Sequence, residues 1–491
     1  MNYISTRGYS AKTNSAQAII RGLAPDRGLF VPEEIPPLGI FPEDLKDATF
    51  KGIAGKVLSK FLNDFDVDEI VRCVNGAYDE KYDSKDIVPL VATRSAFFLE
   101  LYHGRTAAFK DIALSILPYL LISAIRKEKE EKKIVILTAT SGDTGKAALE
   151  GFSGVSGTEI IVFYPKDGVS EIQKRQMTTQ RGSNVHVYAI EGNFDVAQAG
   201  VKGIFANEEF AHWLDERGYK LSSANSINIG RLVPQISYYV YAYTRLIRTE
   251  RIRAGEPINV VVPTGNFGNI LAAYYAKQMG VPIAKFICAS NENNVLTEFI
   301  NTGVYNAKRE FFLTTSPSMD ILVSSNLERL LWHLSGGNSA ETSGYMKVLE
   351  ATGKYAVGAR IRDGLKDFYG GYAPMRIVHA YIRELWEKEK YLMDTHTAVG
   401  YAVYMKYREQ TGDSTPTVIA STASAYKFAS SVSQSLGLPE PPDGFAAIDA
   451  LSAATEVRIP DGLKNLQMRR VIHTETITAA DMISTIAKIF A

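Results

Sequence analysis

An α/β architecture with open, mostly parallel sheets and flanking helices follows from three features of this sequence. Short β-rich runs are each followed by small polar residues and then by a helical pattern, which is the order of βα units. The chain has 491 residues, several times the roughly 100 to 200 of one domain. That length predicts two or three compact units sharing a cleft. Hydrophobic residues make up 46% and charged residues 22%, ample for a core, and no fixed-period repeat points to a solenoid.

Taken in order, residues 1–92 read as an N-terminal unit, with helical patterns over 44–62 and 67–82 between polar loops. Residues 93–129 and 235–491 are assigned to a larger sheet domain, and 130–234 to a smaller α/β domain. The clearest βα units start at Lys133-Ile-Val-Ile-Leu-Thr138 and at Ile258-Asn-Val-Val-Val-Pro263. Residues 159–165 are a buried strand candidate. A further strand over 417–422 precedes a helical stretch over 425–436. Residues 310–390 are helix-rich and charged, and read as an insertion or cap rather than sheet.

Lys+Arg and Asp+Glu both number 54, so no global field draws this chain to nucleic acid or to an anionic membrane. Any charged ligand must be held locally. The two cysteines, Cys73 and Cys288, form neither a disulfide framework nor a metal knuckle. Seven scattered histidines offer no ligand spacing and H-E-x-x-H is absent, so no catalytic metal is expected. His103 and His396 are read as satisfying local hydrogen bonds. The apolar stretch over 113–125 is too short to span a bilayer, and the N-terminus lacks a signal-peptide pattern. A soluble, cytoplasmic protein is the expectation.

In an open parallel sheet, ligands collect at the carboxyl ends of strands. Gly265-Asn-Phe-Gly-Asn269 lies between a strand and a helix, where backbone N–H groups could close on a phosphate; its glycines could equally do no more than turn the chain. Thr140-Ser-Gly-Asp-Thr-Gly145 gathers three hydroxyls and a carboxylate, suited to a small polar substrate, although Asp143 could also be an N-cap. It is not a Walker sequence, because Ala147 follows Lys146. Lys110, between Phe109 and a long apolar run, has two readings. In apolar surroundings its ammonium is disfavoured and the neutral amine can form a Schiff base; otherwise it is an exposed lysine at a helix start.

Taken together, His103-Gly-Arg-Thr-Ala-Ala-Phe-Lys-Asp111, then Ser141-Gly-Asp-Thr-Gly145, then Gly265-Asn-Phe-Gly-Asn269 resemble the threonine synthase family in order and spacing. The resemblance runs almost end to end. Residues 22–32, 169–177, 225–235, 316–321 and 394–400 also look like family blocks. It implies fold type II among pyridoxal-phosphate enzymes, similar to the tryptophan synthase β subunit. Lys110 would form the internal aldimine, with Phe109 beside it. The turn Gly265, Asn266, Phe267, Gly268, Asn269 would grip the phosphate of pyridoxal 5′-phosphate. Asp143 would lie near the cofactor's 3′ hydroxyl, and Thr422 would meet its pyridine nitrogen.

By the same resemblance Asn225, Ser226 and Arg231 would hold the phosphate of O-phospho-L-homoserine, while Thr140, Ser141 and Thr144 would serve its carboxylate end. Asn225 and Ser226 could instead cap a helix. The implied reaction is γ-elimination of phosphate followed by addition of water at the β carbon, giving L-threonine. A related lyase releasing 2-oxobutyrate and ammonia is the alternative; a phosphate- or nucleotide-binding regulatory protein is a third reading. The expected partner is the small-molecule substrate, with the chain a monomer or homodimer. Two positions depart from the family: Arg105 where proline is common, and Ser424-Ala-Tyr426 where His-Pro-Ala is common.

Overall fold

The computed structural model describes residues 1–40, 42–167 and 169–491. Two sheets organise them. The larger has the order Phe368–Tyr372, Ile283–Ser290, Ile258–Pro263, Thr417–Ser421, Phe97–Glu100 and Leu90–Ala92. Every neighbouring pair in it is parallel except the last. The smaller runs Thr476–Ile477, Val185–Ile190, Thr158–Pro165, Lys133–Ala139, Tyr219–Ser223 and is parallel throughout.

Parallel strands are covered by helices on both faces, so their sequences need no polar alternation. Ile258–Pro263 is buried at every position, and Thr158–Pro165 at all but one.

The long helix Lys110–Glu128 joins the two sheets and is apolar nearly all round. It lies between the N-terminal helices on one side and Asp143–Phe152 and Ile229–Arg248 on the other. The sequence assigned residues 1–92 to a unit of their own, whereas the structure gives them a share in one continuous core. Phe50, Ile53 and Val57 belong to the same apolar cluster as Ile112, Ile136 and Val260. Tyr78 donates to the Ile112 carbonyl at 2.8 Å, and Leu90–Ala92 completes the larger sheet.

Two expectations need correcting. The segment 310–390 is not purely helical, because Phe368–Tyr372 forms an edge strand on Ile283–Ser290. Its Gly370 and Gly371 weaken the strand signal, yet close packing requires them. A Cβ at 370 would meet the Thr297 carbonyl at 2.9 Å, and one at 371 the Val403 side chain at 2.5 Å. The C-terminal tail, expected with the larger sheet, belongs to the smaller one. Thr476–Ile477 pairs with Val185–Ile190, and Met482 and Ile486 pack with Val135 and Ile161. A two-residue strand carries no periodicity that a sequence could display.

Pro118 cannot donate to the Leu114 carbonyl inside the Lys110 helix. Gly151 of the neighbouring helix packs directly on that carbonyl, and an added Cβ would sit 2.2 Å from it. Gly151→Ala is therefore expected to push the two helices apart and destabilise the fold by about 1–3 kcal/mol. Gly55→Ala, in open space on Phe50–Phe61, should instead stabilise by about 0.5–1 kcal/mol. Denaturant midpoints of the two variants check both signs.

Candidate active site

Lys110 is the first residue of its helix, at the end of the loop that leaves strand Phe97–Glu100. That loop is held at several points. Asp111 accepts from the Thr106 amide at 2.8 Å and from its hydroxyl at 2.7 Å. Phe109 N donates to the Thr422 carbonyl at 2.8 Å, and Ser424 N to the Ala107 carbonyl at 3.1 Å. Ala107 adopts a left-handed conformation with φ 56°. A Cβ at Gly104 would come within 2.6 Å of Asp111 atoms, so the turn excludes a side chain there.

So fixed, Lys110 turns inward with only 12% of its side chain exposed, and its amine lies 3.6 Å from Asp143 Oδ2. Burial disfavours its ammonium form, Asp143 opposes that, and the net effect lowers its pKa. Asp143 opens the helix Asp143–Phe152, after a turn in which Gly142 has φ 128°. Burial alone would raise its pKa, but Lys427 and Lys110 overcome that and hold the carboxyl well below the ordinary range.

A second turn faces this pair. Phe267 is left-handed at φ 63° and almost fully buried, a conformation that costs a non-glycine residue about 1–2 kcal/mol. It directs residues 265–269 into the head of the helix Gly268–Gln278. A Cβ at Gly265 would lie 2.4 Å from the Ser318 carbonyl, so only glycine lets the two segments meet. Asn326 fastens this turn to the loop above the Ile229 helix, donating to Asn266 O at 2.9 Å and to Ser226 Oγ at 3.0 Å.

One hollow is lined by Phe109, Lys110, Asp143 and Thr144, by residues 264–269, and by Ser226, Arg231 and Thr422. A more capacious one, about 630 Å³, opens on the far side of the Lys110 helix, but the amine and the glycine turn face the smaller.

Within the smaller hollow, Arg231 is 2% exposed and its Nε has no partner, as is true of Asn269 Nδ2. Burial lowers the Arg231 pKa to about 10, which still leaves it charged at neutral pH. Two buried donors without acceptors are costly unless a ligand satisfies them.

The chain is similar to known proteins over most of its length. Three family models match in succession: "Threonine synthase N terminus" at residues 2–78, "Pyridoxal-phosphate dependent enzyme" at 89–357 and "Threonine synthase, C-terminal" at 397–467. The threonine synthase of Eremothecium gossypii is 36% identical over 471 residues, covering 88% of this chain and 89% of that protein. The chain belongs to the threonine synthase family. Threonine synthase-like 1 of Pongo abelii is 39% identical over 438 residues; the match takes in 87% of this chain and 58% of that longer protein. A crystal structure of pyridoxal-phosphate-bound threonine synthase from Brucella melitensis superposes with a TM-score of 0.87 at 34% identity, covering 100% of this chain and 98% of that one.

Within this family fold, three of the residues expected at the site stand outside the lining of the hollow. Thr140 spends its hydroxyl inside the turn, accepting from Gly142 N at 2.9 Å and Gly145 N at 2.8 Å. Ser141 and Asn225 are adjacent to it rather than part of its wall. Arg105 points outward, its side chain 53% exposed and paired with Glu150. Ser424 caps the short turn Ala425–Phe428.

Other residues join the site. Lys427, wholly buried, pairs with Asp143 at 2.7 Å. Gln173 donates to the same carboxylate at 2.9 Å. His396 lines the hollow, with Nδ1 2.8 Å from Asp394 and Nε2 accepting from Ser318 N at 3.2 Å. Ser318 and Met319 put the segment 310–390 on the rim of the cleft. The family blocks over 316–321 and 394–400 were the signal for Ser318 and His396; nothing marked Lys427 except its neighbours.

His103 anchors the start of the Lys110 loop between Asp83 at 2.6 Å and Glu100 at 2.9 Å. Burial works against its charge, but these two carboxylates prevail and raise its pKa to about 9. A raised histidine contributes stability that is fully present below the ordinary value near 6.5 and is lost as pH rises through 9. The stability difference between the parent chain and His103→Gln, read by urea unfolding, should be largest at pH 6 and should fade by about pH 10.

Proposed function

We propose that this chain converts O-phospho-L-homoserine and water to L-threonine and inorganic phosphate, with pyridoxal 5′-phosphate held at Lys110. The observation that carries the reading is a buried amine sharing one hollow with a glycine turn and with unsatisfied buried donors. The residues present fit the cofactor. Residues 265–269 open backbone N–H groups at a helix start, where a phosphate is favoured, and Asn269 Nδ2 is a buried donor in want of an acceptor.

When bound, the cofactor supplies an electron sink for negative charge developing on substrate carbon. The chain's own groups do the rest. Lys110, whose charged form is disfavoured by burial, carries protons on its amine between neighbouring substrate carbons. Thr422, a neutral hydroxyl at a strand end, would meet the cofactor's pyridine nitrogen without holding a proton on it. Asp143 stands 3.6 Å from the amine and would lie near the cofactor's 3′ oxygen.

Arg231 offers a planar donor fork to the substrate phosphate, with Ser226 and Asn225 beside it. Thr144, in the first turn of Asp143–Phe152 and in the wall of the hollow, receives the carboxylate, where helix N–H groups add their pull. Residues 316–320 close the hollow over these groups and exclude water, so the phosphate leaves into a site where Arg231 meets it.

Sodium borohydride should fix the cofactor to Lys110, and Lys110→Ala should lose both the visible band and threonine formation. Attachment at another lysine, or a colourless protein after incubation with the cofactor, would overturn the proposal. Arg231→Lys keeps the charge but not the fork and should lower kcat/KM about 10- to 100-fold, mainly through KM. Assaying threonine and 2-oxobutyrate together separates synthase from lyase: a dominant 2-oxobutyrate yield would favour the lyase.

A further inference from the structure

The buried cation at position 427 is not among the groups that face the cofactor or substrate in the reading above, yet every donor it carries is engaged. Its side chain is 0% exposed. The ammonium has three donors and spends each: on Asp143 Oδ1 at 2.7 Å, the Thr106 carbonyl at 2.9 Å and Gln176 Oε1 at 3.2 Å. Those acceptors come from three places. Asp143 starts a helix of the smaller sheet, Gln176 belongs to Glu171–Thr178, and Thr106 lies in the loop that delivers Lys110.

Asp143 is divided between its two oxygens. Oδ1 takes Lys427 and Gln173, while Oδ2 is left toward Lys110 at 3.6 Å and the Ser318 hydroxyl at 3.4 Å. A carboxylate this deep remains charged only when paired. Lys427 supplies that pairing on the side away from the reacting amine, so Oδ2 stays available in one orientation.

We propose that Lys427 is a positioning residue for the reaction: it holds Asp143 as an oriented anion against Lys110 and sets the proton affinity of the nitrogen at position 110. The proposal rests on Lys110 being the cofactor lysine. The charged and titratable groups around that nitrogen are Asp143 and Lys427, Arg231 on the Ile229–Arg248 helix, Asp111 on its own helix and His396 across the hollow. Asp111 is turned away onto Thr106, which leaves Asp143 and Lys427 as an adjacent pair of opposite sign.

The test is a pH titration of the visible absorption band of the cofactor-loaded protein. Lys427→Met removes one nearby positive charge while Asp143 keeps the nitrogen at position 110 and Gln173 as partners, so the midpoint should rise by about one pH unit or more, a tenfold gain in proton affinity. Asp143→Asn should move it the opposite way, and the double variant, lacking both charges, should return to within about half a unit of the parent. kcat should fall more than KM changes in the first variant. Opposite-signed shifts that cancel are not produced by loosened packing.

Lys427→Gln, which keeps hydrogen-bonding capacity without charge, carries the same expectation if the methionine variant does not fold; failing both, the downward shift in Asp143→Asn decides. An unmoved midpoint with the borohydride label still on Lys110 overturns this inference and leaves the proposed function standing. A label on another lysine in the parent chain overturns the proposed function itself.

Discussion

An amine stays available for covalent chemistry at neutral pH only where water is kept from its charged form, and a buried amine is tolerated only where something answers its charge part of the time. At Lys110 burial meets the first condition and Asp143, at 3.6 Å, meets the second. That carboxylate could not be buried alone, so it brings Lys427 and Gln173 with it. Much of the surrounding structure serves to hold these four side chains largely away from bulk water.

The two sheets divide the labour accordingly. The smaller delivers Asp143 at the carboxyl end of Lys133–Ala139, and the larger delivers Lys110, the 265–269 turn and Thr422 at the ends of its own parallel strands. The Lys110 helix is the joint between them. Its apolar circumference lets it be buried by the N-terminal helices, the helix after Asp143 and the helix carrying Arg231 at once. The N-terminal segment is thus part of the core that positions the site. Arg329 makes the same point: with no measurable exposure, its guanidinium donates to the carbonyls of Phe30, Ser226 and Ile227, lacing the N-terminal strand to the loop beside Arg231.

Backbone strain is present here too. Ala107 and Phe267 both occupy the left-handed region, one in the loop before Lys110 and the other in the turn facing it. Each is fixed by neighbours on both sides, and such conformations persist only where tertiary contacts over-determine them. The glycines at 142 and 265 show the complementary device, close approach of backbone that any side chain would block.

The βα order, the principal strands and both polar turns were legible in the sequence because each is local, a run of apolar residues or a glycine spacing, whereas Lys110 had two local readings and only the likeness to a family singled it out. Arg105 facing outward, the edge strand at Phe368–Tyr372 and the C-terminal strand on the smaller sheet were not legible, since partner choice and side-chain direction are properties of packing. Position 427 is the sharpest case. Taken by itself, the chain determined that a lysine enters a long apolar run and that two polar, glycine-bearing turns follow strands. Only the folded molecule decided that a second lysine, distant in sequence, would be stripped of water and set against Asp143, because electrostatic pairing depends on separation in space and on dielectric, and neither is written in residue order.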